Sequence, residues 1–176
     1  REGFFSDAHA ICSGAVQASP DSRHRDRLAY LDGLCLLHLG SWAAAAGAFT
    51  SVPHPSSLAP SAGELAKLAE SGRTLPRRSP WVTGGLSALV PGLGQVSCGF
   101  HMDGLSTLFL CGASLAVAAA GMSRDSDSLK AAGFSLFGVW YSAGIYGGAN
   151  AARRFNDRAS GRLLEKAGSL SSLSLE

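Results

Sequence analysis

The sharpest chemical signal in the sequence is the turn Pro91-Gly-Leu-Gly-Gln95. Closely spaced glycines let backbone N–H groups approach an anion, so a phosphate loop is the first chemistry to test. The spacing fails that test. There is no GxGxxG and no GK[ST], and no acid stands about twenty residues on, at a strand end, to hold a ribose. The same turn has a structural reading. Proline removes a donor and stops a helix, and the glycines permit a turn. Gln95 can then donate and accept hydrogen bonds to the backbone groups set free.

The remaining reactive residue types do not assemble into a site. His9, His24, His38, His54 and His101 are scattered, without HExxH or a His/Cys grouping, which favours surface or core positions over metal binding. Cys12, Cys35, Cys98 and Cys111 form no CxxC pair. Cys98 and Cys111 sit in apolar surroundings and read as small hydrophobes. A Cys12–Cys35 disulfide across packed helices is the less favoured reading, and the redox compartment stays open. Asp103, the single acid between Arg78 and Arg124, reads as the cap of a helix opening at Gly104. Arg23-His-Arg-Asp-Arg27 carries its own acid and is placed ahead of a helix, as a solvated face. Arg153, Arg154 and the later basic residues suit lipid phosphate at an interface. No catalytic residue, metal or cofactor is expected.

Charge distribution defines the elements that carry these residues. The chain has 176 residues, 46% of them apolar and only 16% charged, with a net charge of +2. An average soluble domain is about 25% charged. The shortage lies almost wholly in residues 81–152, which hold 2 basic and 3 acidic residues. Disorder, a disulfide-stapled miniprotein and a strongly basic nucleic-acid binder are excluded. A membrane-embedded half joined to a water-soluble half is expected. The chain starts at Arg1 rather than Met, which reads as a processed form or a fragment, so the lack of a signal peptide carries no information.

In the first half, apolar residues recur at helical spacing through Leu28, Leu31, Leu34, Leu36, Leu37 and Leu39. Gly40 supplies a helix stop and Ser41 a cap for the next helix, whose small residues Ala43–Ala46 are flanked by Trp42 and Phe49. This segment resembles a tetratricopeptide-type hairpin. Gly33 and Gly40 fall at its glycine positions, Ala45 at the helix crossing and Phe49 at the aromatic position. Ala8, Cys12, Ala15 and Pro20 match the second helix of a preceding repeat, while Asp32 and Leu36 depart from the pattern. Residues 57–71 suggest a final amphipathic helix opening near Pro60 or Ser61. Such repeats stack into concave, peptide-binding surfaces.

In the second half, Gly104–Ser123 is an apolar stretch of twenty residues, about 30 Å as a helix. Its Gly112, Ala116 and Ala120 share one face. The segment Ala131–Ala152 carries a ladder of small residues, Gly144, Gly148 and Ala152, at the spacing that lets membrane helices approach closely. These two segments are expected to form a transmembrane hairpin turned at Arg124–Ser128. The shorter segment from Trp81 to Val90 either spans with a break at Pro91 or dips in and returns.

Pro91-Gly-Leu-Gly-Gln95 followed by Gly99, Asp103 and Gly104, together with Trp140-Tyr141, Ile145-Tyr-Gly-Gly148 and Ala151-Ala-Arg-Arg-Phe-Asn156, resembles an uncharacterised bacterial membrane family over about residues 79–156. Pro91, Gly92, Gly94, Gln95, Gly99, Asp103, Gly104 and Asn156 match its motif. The resemblance implies tetratricopeptide-like repeats in front, a signal peptide before them, and a bacterial inner-membrane location. Ser97 stands where the family commonly has Tyr and Phe100 where a basic residue is common. A headgroup or partner contact made at those positions would be weaker here.

The resulting expectation is an all-α chain. Tetratricopeptide-like helical hairpins occupy 1–75, a membrane-embedded helical domain occupies 79–156, and a basic, Ser-rich tail, frayed from Ser169, occupies 157–176. The membrane part is a transmembrane hairpin with a broken or re-entrant first segment. The function is non-enzymatic: a membrane-anchored scaffold that binds a protein partner through its repeats and contacts lipid. Small-residue helix faces could pair two copies, and nucleic acid is not a partner. The alternative is a component of a membrane assembly or transport system using the Pro91–Gln95 break. If the first segment does not cross, eight basic residues flank one side against two in the 124–130 turn, and both ends lie in the cytoplasm. If it crosses, the count decides nothing. A signal peptide would instead export the repeats.

Overall fold

A computed structural model describes residues 2–19, 21–53 and 56–172, which form eight helices and no strand. They are α1 (Glu2–Ala18), α2 (Ser22–His38), α3 (Trp42–Thr50), α4 (Ala59–Arg73), α5 (Pro80–Leu89), α6 (Leu93–Ser97), α7 (His101–Ser123) and α8 (Asp127–Ser172). Two compact units result: residues 1–75 with 159–176, and residues 76–158.

In the first unit α1 packs on α2, α2 on α3 and α3 on α4. Gly40, with φ +70°, ends α2 as anticipated. Its N–H reaches Leu37 O and that of Ser41 reaches Leu36 O, closing two of the four carbonyls a helix end leaves open. Ser41 occupies the N-cap of α3, but its side chain makes no capping bond. The core gathers Tyr30, Leu37, Trp42, Ala45, Phe49, Leu65 and Ala69. Asp32, out of place for an apolar position, pairs with His9 of α1 at 2.6 Å. Cys12 and Cys35 are free thiols. Burial pushes both upward in pKa, with Asp32 adding to each and Cys12 to Cys35.

α4 begins at Ala59 with Pro60 in its first turn, in keeping with a helix opening near Pro60. Two expectations about this unit change. Arg23–Arg27 lies inside α2, not ahead of it, because Asp21 caps that helix by accepting from the Arg23 N–H. The segment 157–176 is not a frayed tail as far as Ser172: α8 continues to that residue, and Leu163, Leu164, Ala167 and Leu170 pack into the core. Their 3–4 spacing makes the reason visible, since it draws one apolar stripe through a Ser-rich composition. His54 lies outside the described residues, as do Pro20 and 173–176.

Glycine decides how closely these helices meet. A Cβ on Gly33 would stand 2.6 Å from the buried Phe49 ring, whereas one on Gly63 would meet nothing within 4 Å. Gly33→Ala is therefore expected to destabilise the unit by about 1–3 kcal/mol through overpacking. Gly63→Ala is expected to stabilise it by about 0.5–1 kcal/mol. Urea unfolding of the two variants beside the parent checks the opposed signs.

Candidate functional site

Pro91, Gly92, Gly94, Gln95, Gly99, Asp103, Gly104 and Asn156 all lie in residues 76–158, where backbone meets backbone. Pro91 and Gly92 end α5, and Gly92 adopts φ +91°. A Cβ there would strike the backbone of Gly104, and one on Gly104 would strike Gly92 O and Val96. Gly94 lies equally close to Thr83 O and Ser87 Oγ. The turn thus folds α6 against both α5 and the start of α7. Gly99, at φ +82°, then closes α6 with the bonds Gly99 N–H to Val96 O and Phe100 N–H to Gln95 O.

Gln95 is 3% exposed and joins four elements. The Ser87 hydroxyl accepts from Gly94 N–H at 3.0 Å, so its proton is free to go to Gln95 Oε1, also at 3.0 Å. The Thr107 hydroxyl donates to Asp103 O at 2.9 Å and therefore accepts from Gln95 Nε2 at 3.3 Å. The second Nε2 proton goes to Gly144 O at 3.3 Å. This chain of donors fixes the orientation of the amide. No polar group of Gln95 is left over for a visiting molecule.

α8 supplies the surface on which α5 and α6 rest. Gly144, Gly148 and Ala152 are all buried. A Cβ on Gly148 would strike Ser87 Oγ and Thr83 O, and one on Gly147 would lie 2.7 Å from Gln95 Nε2. Tyr141 donates its hydroxyl proton to Ala88 O at 2.7 Å. Toward the other end of α5, Asn156 accepts from Arg78 N–H at 2.8 Å and donates to Arg78 O at 2.9 Å. α5 therefore starts beside Asn156 and stops beside Tyr141. α6 returns, because Cys98 and Phe100 pack with Ala151, Ala152 and Phe155.

Asp103 is not a helix cap. α7 begins at His101, and Asp103 sits in its first turn with Oδ2 2.7 Å from Arg154 Nη2. An acid there is favoured by the helix dipole as well as by the arginine. The Arg154 and Arg158 guanidinium carbons lie 4.2 and 4.5 Å from the Phe100 ring centroid. Neither the stacking nor the ion pair was anticipated. The signal lay in Phe100 itself, an aromatic three residues ahead of the acid Asp103.

The face Gly112, Ala116 and Ala120 does not pack: the first two are exposed, and a Cβ on Gly112 would meet nothing. α7 instead buries Gly104, Cys111, Ser114, Ala118 and Gly121. Gly121 meets the backbone of Leu129 and Lys130, and Gly133 meets Ala118. The helix turns into α8 at Asp125, whose φ of 48° aims the next residue back. With only Arg124, Asp125 and Ser126 between the helices, the turn, not the spacing of small residues, sets which face is inward. The Lys130 ammonium is held above its ordinary pKa by Asp125 and Asp127.

Among the described residues no three His, Cys, Asp or Glu side chains gather to hold a metal. No protein-family model, curated protein or solved structure matches the chain. Its role is therefore argued from this geometry. Gln95→Ala should leave the Ser87 hydroxyl without its acceptor and Gly144 O without this donor, costing about 1–3 kcal/mol per buried group stranded. Ser97→Ala, which loses a bond to the carbonyl of Gly94 and a long 3.9 Å contact with Cys98 Sγ, should cost less than half as much. Denaturant titration of both variants tests the ranking.

Proposed function

We propose that the chain is a membrane-anchored helical-repeat protein with a scaffold role, in which residues 76–158 sit in lipid and the α1–α4 hairpins dock a protein partner. One observation carries the reading: the packing of 76–158 is inverted. Its buried residues are small or polar, namely glycines, Cys98, Cys111, Ala118, Ala151, Ala152, Thr83, Ser87, Gln95 and Ser114, while Trp81 is 90% exposed, Leu89 80%, Met102 75% and Phe109 72%. In water each such large apolar side chain forfeits about 1.5–3 kcal/mol of burial. In lipid that loss disappears, and close contact through small residues drives the helices together.

α7, 23 residues long, is long and apolar enough to cross a bilayer, and among the described residues no other helix passes that measure. α8 falls short because even its uncharged stretch, 131–152, is diluted by glycine, serine, tyrosine and tryptophan. Its first half is paired with α7 by short backbone contacts and would cross with it. α5 and α6 are then a re-entrant pair reaching the level of Tyr141. Their broken backbone is covered on the protein side and its polar groups are satisfied by Ser87, Gln95 and Tyr141, as an element at that depth requires. Because Gln95 is fully bonded, we favour this structural role over a transport path at the Pro91–Gln95 break. The residues flanking 79–158 then share one side, and the excess of arginines favours the cytoplasm. A bacterial inner membrane is the setting that the resemblance to the P-G-x-G-Q family suggests, and the helical hairpins in front fit a tetratricopeptide-like binding surface.

Membranes carrying the chain should retain it through an alkaline carbonate wash; release of the full chain as a detergent-free monomer overturns the reading. Single cysteines introduced at Arg77, Ser126 and Asp157 of a cysteine-free variant test the crossing count with an impermeant maleimide. Positions 77 and 157 should label from one side and 126 from the other. Labelling of 77 and 157 from opposite sides would mean that α5 crosses.

A further inference from the structure

A cavity of about 200 Å³ lies between α7 and α8, with Asp103 and Arg154 at one end, Ser106 and Thr107 along its wall, and Leu110 and Trp140 toward the other. Arg154 and Trp140 are separated by about 21 Å of helix rise, so the space is elongated and changes from charged to apolar along its length. The charged end is not balanced. Arg154 and Arg158 stack on the same Phe100 ring, yet Asp103 alone bonds a guanidinium there. Arg154 Nε is buried and has no hydrogen-bond partner among the described residues. A desolvated donor without a partner costs about 1–3 kcal/mol, more when charged, and an oxyanion would recover it. Arg78, on the Phe155 ring 5.6 Å away, and Arg153 add positive charge at the same end of the unit.

We infer that this is a binding site for one anionic phospholipid. Its phosphodiester lies against Arg154 and Arg158, and one acyl chain follows the groove past Leu110 to Trp140. The inference rests on the membrane reading above. Inorganic phosphate shares the oxyanion chemistry but has nothing to place on the apolar length, and this separates the two sources. The guanidinium stacking also sets the specificity. A planar guanidinium fork can donate two N–H bonds to one phosphodiester, which a lysine ammonium does not do.

The test uses the full chain, purified in detergent and stripped of lipid, with native mass spectrometry reading bound molecules. Phosphatidylglycerol should bind at one copy, about tenfold more tightly than phosphatidylcholine, as one charge-assisted contact implies. Millimolar inorganic phosphate should not displace it. Arg154→Gln should remove most of this preference, and Arg154→Lys should restore only part of it. Arg154 also holds α7 through Asp103, so a second variant acts from an exposed wall position: Ser106→Phe fills the groove and should weaken binding of both lipids with helicity unchanged. Equal phosphatidylglycerol binding by the parent, Arg154→Gln and Ser106→Phe, while all three remain inserted in vesicles, overturns the site but leaves the membrane reading standing. Displacement of the lipid by inorganic phosphate overturns the acyl groove. Failure of the parent chain to enter vesicles at all overturns the membrane reading, and the lipid site falls with it.

Discussion

Direct contact of main chain with main chain is the constraint from which the rest of residues 76–158 follows. At Gly92 and Gly104 two backbones touch where no side chain fits between them, and Gly94 repeats the contact against Thr83. Once helices stand that close, the space left inside accepts only alanine, cysteine, hydroxyls, one carboxamide and more glycine. Large side chains have nowhere to go but outward. The polar network around Gln95 is thus less an addition to the packing than its result, because a broken helix at Pro91 exposes amides that something small and polar must satisfy.

The break itself was legible, since Pro91 and the two glycines after it restrict the backbone whatever surrounds them. Gly40 was legible for the same reason, and so was the ladder of Gly144 and Gly148, which no other element in the sequence could explain. Each of these rests on a local rule. The inward face of α7 was not legible: that helix carries small residues on several faces, and 112, 116 and 120 were as plausible as 111, 114 and 118. A three-residue turn with Asp125 in a left-handed conformation made the choice, and its effect on rotation cannot be read from composition.

Long-range polar partners were equally hidden. Asp103 looked like a cap because caps are local, whereas its partner Arg154 lies 51 residues away. The same holds for Asp32 with His9, and for Asn156 with the main chain of Arg78. The last stretch of α8 misled for another reason. Its serine content suggests a solvated end, but four apolar residues at helical intervals are enough to tie it to the core of the first unit.

The Asn156 carboxamide bonds both main-chain groups of Arg78, as a neighbouring strand would. Its amide nitrogen is one of those two attachments. An aspartate there would set a negatively charged acceptor against the Arg78 carbonyl and keep only the bond from the Arg78 N–H, so the tie at the start of α5 demands a side chain that donates and accepts at once.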